Sequence, residues 1–190
     1  MPTRNVVDVP RYHLSQRLVH WLMAALVLLA VAIGTPLGLL GFEGAREAFG
    51  SALTDLLYIS HKTIGVLLLG FISLRVILRL VFGKPPYAVP LPTLQRRVSR
   101  IVHALLYVLL IVMPLLGWSA TASGGFPINF FHWELPPILS RNPDLSEQLF
   151  FWHAVTAWSI LGLVVLHVAG ATYHWRIRRD GVMRRMSLLP

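Results

Sequence analysis

The sequence predicts an all-α protein embedded in a membrane as a bundle of four spanning helices, and three observations carry that prediction. Hydrophobic residues make up 55% of the 190 residues and charged ones 13%, with a mean hydropathy of +0.64, a balance foreign to soluble domains. Four apolar stretches, 18–41, 56–82, 98–121 and 149–175, each reach the length of about 20 residues that a helix needs to cross a bilayer. The basic residues, in turn, collect at every second connection, as the positive-inside bias demands of a multi-pass chain.

Taken in order, the leader MPTRNVVDVPRYHLSQ is polar and broken by proline, and is expected to lie at the membrane surface. The first stretch is longer than a signal-peptide core and lacks an A-x-A-like site, with Gly34-Thr35-Pro36-Leu37 near its far end, so it reads as a retained helix. GFEGAREAFGSALTD, rich in glycine and mixed in charge, predicts an external turn with one short amphipathic piece. After the second stretch, GKPPYAVPLPT carries Pro85, Pro86, Pro90 and Pro92, which forbid a continuous helix and favour an extended internal linker. The longest loop, SGGFPINFFHWELPPILSRNPDLSEQ, separates the third and fourth stretches. Its Phe126, Phe130, Phe131 and Trp133 suit an interfacial segment on the outer surface. Residues 1–190 are thus expected to form a single transmembrane domain.

Charge fixes the expected orientation. Arg4, Arg11 and Arg17 precede the first helix, Arg75, Arg79, Lys84, Arg96, Arg97 and Arg100 surround the second connection, and Arg176, Arg178, Arg179, Arg184 and Arg185 follow the fourth. Both termini are therefore expected in the cytoplasm. The opposite loops hold Arg46, Lys62 and Arg141 against six carboxylates, so topology accounts for the net charge of +9 and no nucleic-acid partner is expected. The chain has no cysteine, which excludes disulfides, thiolate zinc sites, iron–sulfur clusters and covalently attached haem together.

Eight histidines remain as candidate ligands. In WHAVTAWSILGLVVLH, His153 and His167 are fourteen positions apart, which leaves them about 40° apart around a helix and about 21 Å apart along it. Two imidazoles on one face at two depths are a poor surface for lipid and a good ladder for two stacked cofactors. His61, near the outer end of the second helix, can face His153, and His20, near the inner end of the first, can face His167. Each pair offers an iron two axial nitrogens from different helices, the arrangement that holds a non-covalent haem b in a bundle. Spacing leaves the inner pair open. His20 lies three residues from Arg17, whereas His167 lies eight from Trp175, and His103, three after Arg100, competes for the same depth. His174 is 21 residues from His153, about 32 Å of rise and near the whole hydrocarbon thickness. His13 and His132 fall outside the spans and read as surface or loop residues. For any one of these rings the plain alternative is a hydrogen bond to a neighbouring helix or a position at the interface.

A zinc or copper site asks three or four ligands to converge, whereas these histidines fall at two levels. Carboxylates are nearly absent from the spans, which argues against a proton pump or cation carrier. Gly65, Ala154, Ala157, Gly162, Ala169 and Gly170 stand beside candidate ligands and would let a flat macrocycle approach the backbone, although ordinary helix packing uses small residues equally. Arg75 and Arg79, in SLRVILRL, suit pairing with the carboxylates of a cofactor such as haem propionates, with snorkelling to head groups the plain alternative. Arg17 and Lys62 share that ambiguity.

RYHLSQRLVHWLMAALVLLA, YISHKTIGVLLLGFISLRVILRL, the internal loop with its Pro-Pro pair, RIVHALLYVLLIVMPLLGW and the ending FFWHAVTAW…LVVLHVAGATYHW together resemble the bacterial cytochrome b-561 family of superoxide oxidase-like di-haem membrane cytochromes b. The similarity covers nearly the whole chain in order, and the di-haem subunits of nickel–iron hydrogenase and formate dehydrogenase share the four-helix plan. What the resemblance implies is two haems b with iron ligated by His20 and His167 on the inner side and by His61 and His153 on the outer, which sets His103 aside as a ligand. It further implies a bacterial inner-membrane oxidoreductase that moves electrons to or from the ubiquinone pool, oxidising superoxide to oxygen at the outer face. His103 and His174 match positions where the family tends to carry histidine, and are expected to line an inner quinone pocket or to carry protons to it. Lys62 and Arg141 are the candidate attractors for the superoxide anion. The competing expectation is a haem b anchor subunit whose long outer loop docks a separate dehydrogenase or cytochrome. A transporter, the third class, requires that the histidines bind no haem.

Overall fold

A computed structural model describes residues 9–189, so Arg4 and the first half of the leader lie outside the described residues. Helices α1 (Leu14–Phe49), α2 (Ser51–Phe82), α3 (Thr93–Ser123) and α4 (Pro143–Tyr173) run alternately up and down, and all four are long and apolar enough to cross a membrane. Leu28, Leu80, Val108 and Val165 stand exposed on the outside of the bundle, as a surface solvated by lipid requires. The protein is an integral membrane four-helix bundle.

Every helix outruns the apolar stretch that predicts it at one end or both, because apolar length and helix length answer to different forces. At α4 the end is set by a cap. The Asn142 side chain accepts a hydrogen bond from the Leu145 N–H at 3.1 Å, and Pro143, which lacks an N–H, takes the first helical position. At the α1–α2 connection, the expected external turn narrows to Gly50 (φ 77°), and α1 breaks at Gly41 (φ 66°) before running on to Phe49. Both angles lie in the left-handed region that glycine alone enters without strain. The proline-rich linker 83–92 carries no helix or strand.

The long connection between α3 and α4 carries regular structure that the sequence reading did not specify. Within it β1 (Ile128–Phe130) and β2 (Trp133–Leu135) pair antiparallel, Phe130 opposite Trp133, and the hairpin leans on α2. Lys62 Nζ donates to the Pro127 carbonyl at 2.8 Å, and the Phe131 N–H donates to Thr63 Oγ1 at 3.1 Å. Polar groups on a membrane helix need partners, and the hairpin supplies them.

α1 packs on α2, α2 on α3 and α3 on α4, whereas α1 and α4 meet at few points. Two apolar clusters fill the interior, one of Val27, Ile64, Leu68 and Ile160, the other of Val19, Met23 and Ile72. At the basic end α4 widens into a π-turn (His174–Arg178), and Arg179 turns left-handed (φ 52°). The chain then folds back against α1, where Trp21 Nε1 donates to the Met186 carbonyl at 2.8 Å and Arg17 Nη1 to the Ser187 carbonyl at 2.6 Å.

Candidate metal centre

The antiparallel course of the helices brings the predicted histidines together at two levels. His61 of α2 and His153 of α4 face each other with ring centroids 6.2 Å apart, and His20 of α1 and His167 of α4 do so at 6.1 Å. Ile160, halfway between His153 and His167 along α4, belongs to the apolar cluster that separates the levels. All four rings are half-buried.

These separations test whether a metal fits between the rings. Metal–imidazole bonds run about 2.0–2.1 Å in zinc sites, and the ring centroid lies about 1.1 Å behind the nitrogen, so two rings clamping one ion stand about 6.3 Å apart. Both pairs come within a few tenths of an ångström of that distance. At the outer level His153 Nδ1 donates to the Met113 carbonyl at 3.1 Å, which leaves Nε2 as the nitrogen with a free lone pair, the tautomer a metal ligand requires. His61 Nδ1 is buried without a hydrogen-bond partner. Among the described residues no three histidine, aspartate or glutamate side chains converge on a shared point, as a zinc or copper centre would ask.

At the inner level a third ring is present. His103 meets His167 edge-on with centroids 5.1 Å apart, more than 1 Å too close for a metal between them by the same reckoning. Its Nδ1 donates to the Ser99 carbonyl at 2.5 Å. Arg75 Nη1 donates to the Gln16 carbonyl at 3.2 Å, and its guanidinium lies 5.8 Å from the centre of the Tyr107 ring. Arg79 Nη1 donates to the Gly83 carbonyl instead. His13 caps the start of α1, its ring stacked 4.0 Å from Phe82, and His132 sits exposed in the hairpin turn. His174 Nδ1 meets Asp180 Oδ2 at 2.6 Å. Burial opposes ionisation of Asp180, but hydrogen bonds from His174, the Val182 N–H and Arg178 outweigh it and hold the carboxyl below the ordinary carboxylate range.

Two residues essential to this geometry escape the sequence reading. A Cβ added at Gly34 would lie 2.6 Å from His61 Cε1, and one at Gly117 would lie 2.9 Å from His153 Cε1, so each outer ring packs on a glycine of the adjoining helix. Gly65, Gly162 and Gly170, singled out for their sequence neighbourhood, face open space. A signal was present in the spacing. His20 and Gly34, His61 and Arg75, His103 and Gly117, and His153 and His167 are each fourteen residues apart, so every helix contributes one position to each level. Lys62, next to His61, holds the hairpin through Pro127 and Asn129, and the Arg141 side chain packs on Gly125.

Comparison with known proteins adds a second line of observation. The profile of the prokaryotic cytochrome b561 family matches residues 11–187. The cytochrome b561 homolog 2 of Escherichia coli is 31% identical over 183 residues, covering 93% of this chain and 90% of that protein. A probable superoxide oxidase, CybB, of Yersinia pestis is 25% identical over 177 residues, covering 93% and 95%.

Proposed function

The chain belongs to the prokaryotic cytochrome b561 family, haem b proteins of membrane electron transfer, and from that premise we propose that it oxidises superoxide at its outer face and reduces ubiquinone at its inner one. Two haems b are held, one between His61 and His153 and one between His20 and His167. The observation that carries this reading is the pair of facing imidazoles repeated at 6.2 and 6.1 Å, each at the span of a clamped iron. Haem b supplies one-electron redox chemistry when bound. The reaction balances as two superoxide anions, each losing one electron to leave as dioxygen, against one ubiquinone that takes two electrons and two protons to become the quinol.

The protein's own residues set the conditions for that exchange. The two histidines at each level would hold a haem between them, and a haem held from both sides would supply electron transfer and not substrate-ligand chemistry. Met113 fixes the tautomer of His153 through its carbonyl, and Gly34 and Gly117 let the outer rings sit against the helix backbones. The plug of Val27, Ile64, Leu68 and Ile160 keeps water from joining the two levels. Arg75 offers a guanidinium for cofactor carboxylates at the inner level. His103, whose Nδ1–H is bonded to the Ser99 carbonyl, keeps a free lone pair on Nε2 at the inner level, where it can take up a proton and relay it to quinone. Both termini lie in the cytoplasm of a bacterial inner membrane, in keeping with the arginines at that end. Lys62 and Arg141 contribute the positive charge of the outer face.

Purified protein supplied with superoxide and a soluble ubiquinone analogue is expected to form one quinol for every two superoxide anions consumed. Loss of this activity in His153→Ala, with the inner haem retained, completes the expected pattern. Quinol formation only after a second protein is added would overturn the reading in favour of an anchor subunit. The exposed Phe131 and Trp133 at the hairpin tip would then serve as that partner's dock.

A further inference from the structure

At the basic end, outside the paired rings, the π-turn and the returning tail border two adjoining open clefts. One, of about 600 Å³, is lined by Arg176, Arg179 and Arg184 together with Trp175. The second, of about 340 Å³, runs along Trp21, Trp175 and Leu188 and shares Arg184 with the first. Among the described residues both ion pairs go to Asp180, whose carboxylate is buried and occupied by His174 and Arg178. Among the described residues Arg176, Arg179 and Arg184 therefore have no carboxylate partner, and Arg176 instead lies 4.2 Å over the Trp175 ring. Three arginines that line one cleft where a membrane helix ends, with no carboxylate partner among the described residues, suit a phosphate ester, although Arg179 Nε already donates to the Arg176 carbonyl at 3.3 Å. The adjoining cleft has an indole floor and a leucine wall, which suit a hydrocarbon chain and give a free phosphate nothing to bind. A quinone, being uncharged, would leave the guanidiniums unneutralised.

We propose that this end of the bundle is a binding site for an anionic phospholipid, its phosphate among Arg176, Arg179 and Arg184 and one acyl chain along Trp21, Trp175 and Leu188. The lipid bridges the end of α4 and the returning tail to the start of α1, and so fastens the tail over the inner level. The site stands independently of the proposed redox reaction, since it needs neither haem nor quinone.

Native mass spectrometry of the protein released from nanodiscs tests it. From discs of equimolar phosphatidylglycerol and phosphatidylcholine, one phosphatidylglycerol adduct is expected to survive activation that strips phosphatidylcholine. In R176Q/R179Q/R184Q retention is expected to fall at least tenfold, whereas R96Q/R97Q/R100Q, an equal charge loss elsewhere on the same side, leaves it unchanged. Should the first triple variant fail to assemble, R184Q alone, which lines both clefts, is expected to lower retention several-fold. Equal retention in the two triple variants, or of phosphatidylcholine, would overturn the proposal. So would a rise in Tm from inorganic phosphate that matches the rise from phosphatidylglycerol, because it would assign the arginines to a soluble anion. Displacement of the lipid by ubiquinone in competition would overturn it as well.

Discussion

Gly34 and Gly117 serve the outer level by having no side chain. The His61 and His153 rings occupy the space where a Cβ would stand, at 2.6 and 2.9 Å, distances that real Cβ atoms do not tolerate. Replacing either glycine by alanine should gain the roughly 1 kcal/mol of helix propensity that glycine lacks, but forcing a methyl group into a packed site costs about 1–3 kcal/mol. The net expectation for Gly34→Ala and Gly117→Ala is a lower Tm with a perturbed outer-haem spectrum. Gly65→Ala and Gly162→Ala, which meet open space, should keep both spectrum and Tm or raise the latter. Equal behaviour of all four in thermal melts and visible spectra would show that the ring contacts carry no weight. The two glycines were legible only in hindsight. Hydropathy draws attention to polar residues in an apolar run, and a glycine there looks like ordinary packing until the fourteen-residue offset of the histidines is applied to the other helices.

The elements divide by what fixes them. The spans follow from apolar length, which any stretch of sequence declares, so their existence was plain. Their ends follow from local chemistry such as the Asn142–Pro143 cap, written in the sequence but invisible to a hydropathy window. The hairpin and the returning tail follow from distant partners, Lys62 and Thr63 for one and Arg17 and Trp21 for the other, which no local pattern announces. The tail carries a pH dependence of its own. Asp180 has a folded pKa below its ordinary 3.8, so its contribution to docking is fully present above that value and is lost as pH falls through the lowered one. Protease protection of the 183–189 segment should accordingly hold through neutral and mildly acidic pH and disappear only in strong acid. Asp180→Asn, which frees His174 and Arg178, should expose the segment already at neutral pH. Protection unchanged in that variant would deny the carboxylate its role as the tail's anchor.

As a whole, the molecule is a scaffold that holds two levels of rings apart across a membrane with a dry plug between them. Its orientation can be read directly because the chain has no native cysteine to interfere. A membrane-impermeant maleimide should label Ser140→Cys in the outer loop of intact spheroplasts and reach Thr93→Cys, at the start of α3, only after lysis. The reverse pattern would place the arginine-rich end outside. Haem b per chain, measured by pyridine haemochrome on purified protein alongside single histidine variants, tests the pairing of the four histidines most directly. That pairing predicts two haems in the native chain, one in each of His20→Ala, His61→Ala, His153→Ala and His167→Ala, and two in His103→Ala. A native content of one or none, or a loss in His103→Ala that His20→Ala does not produce, would contradict it.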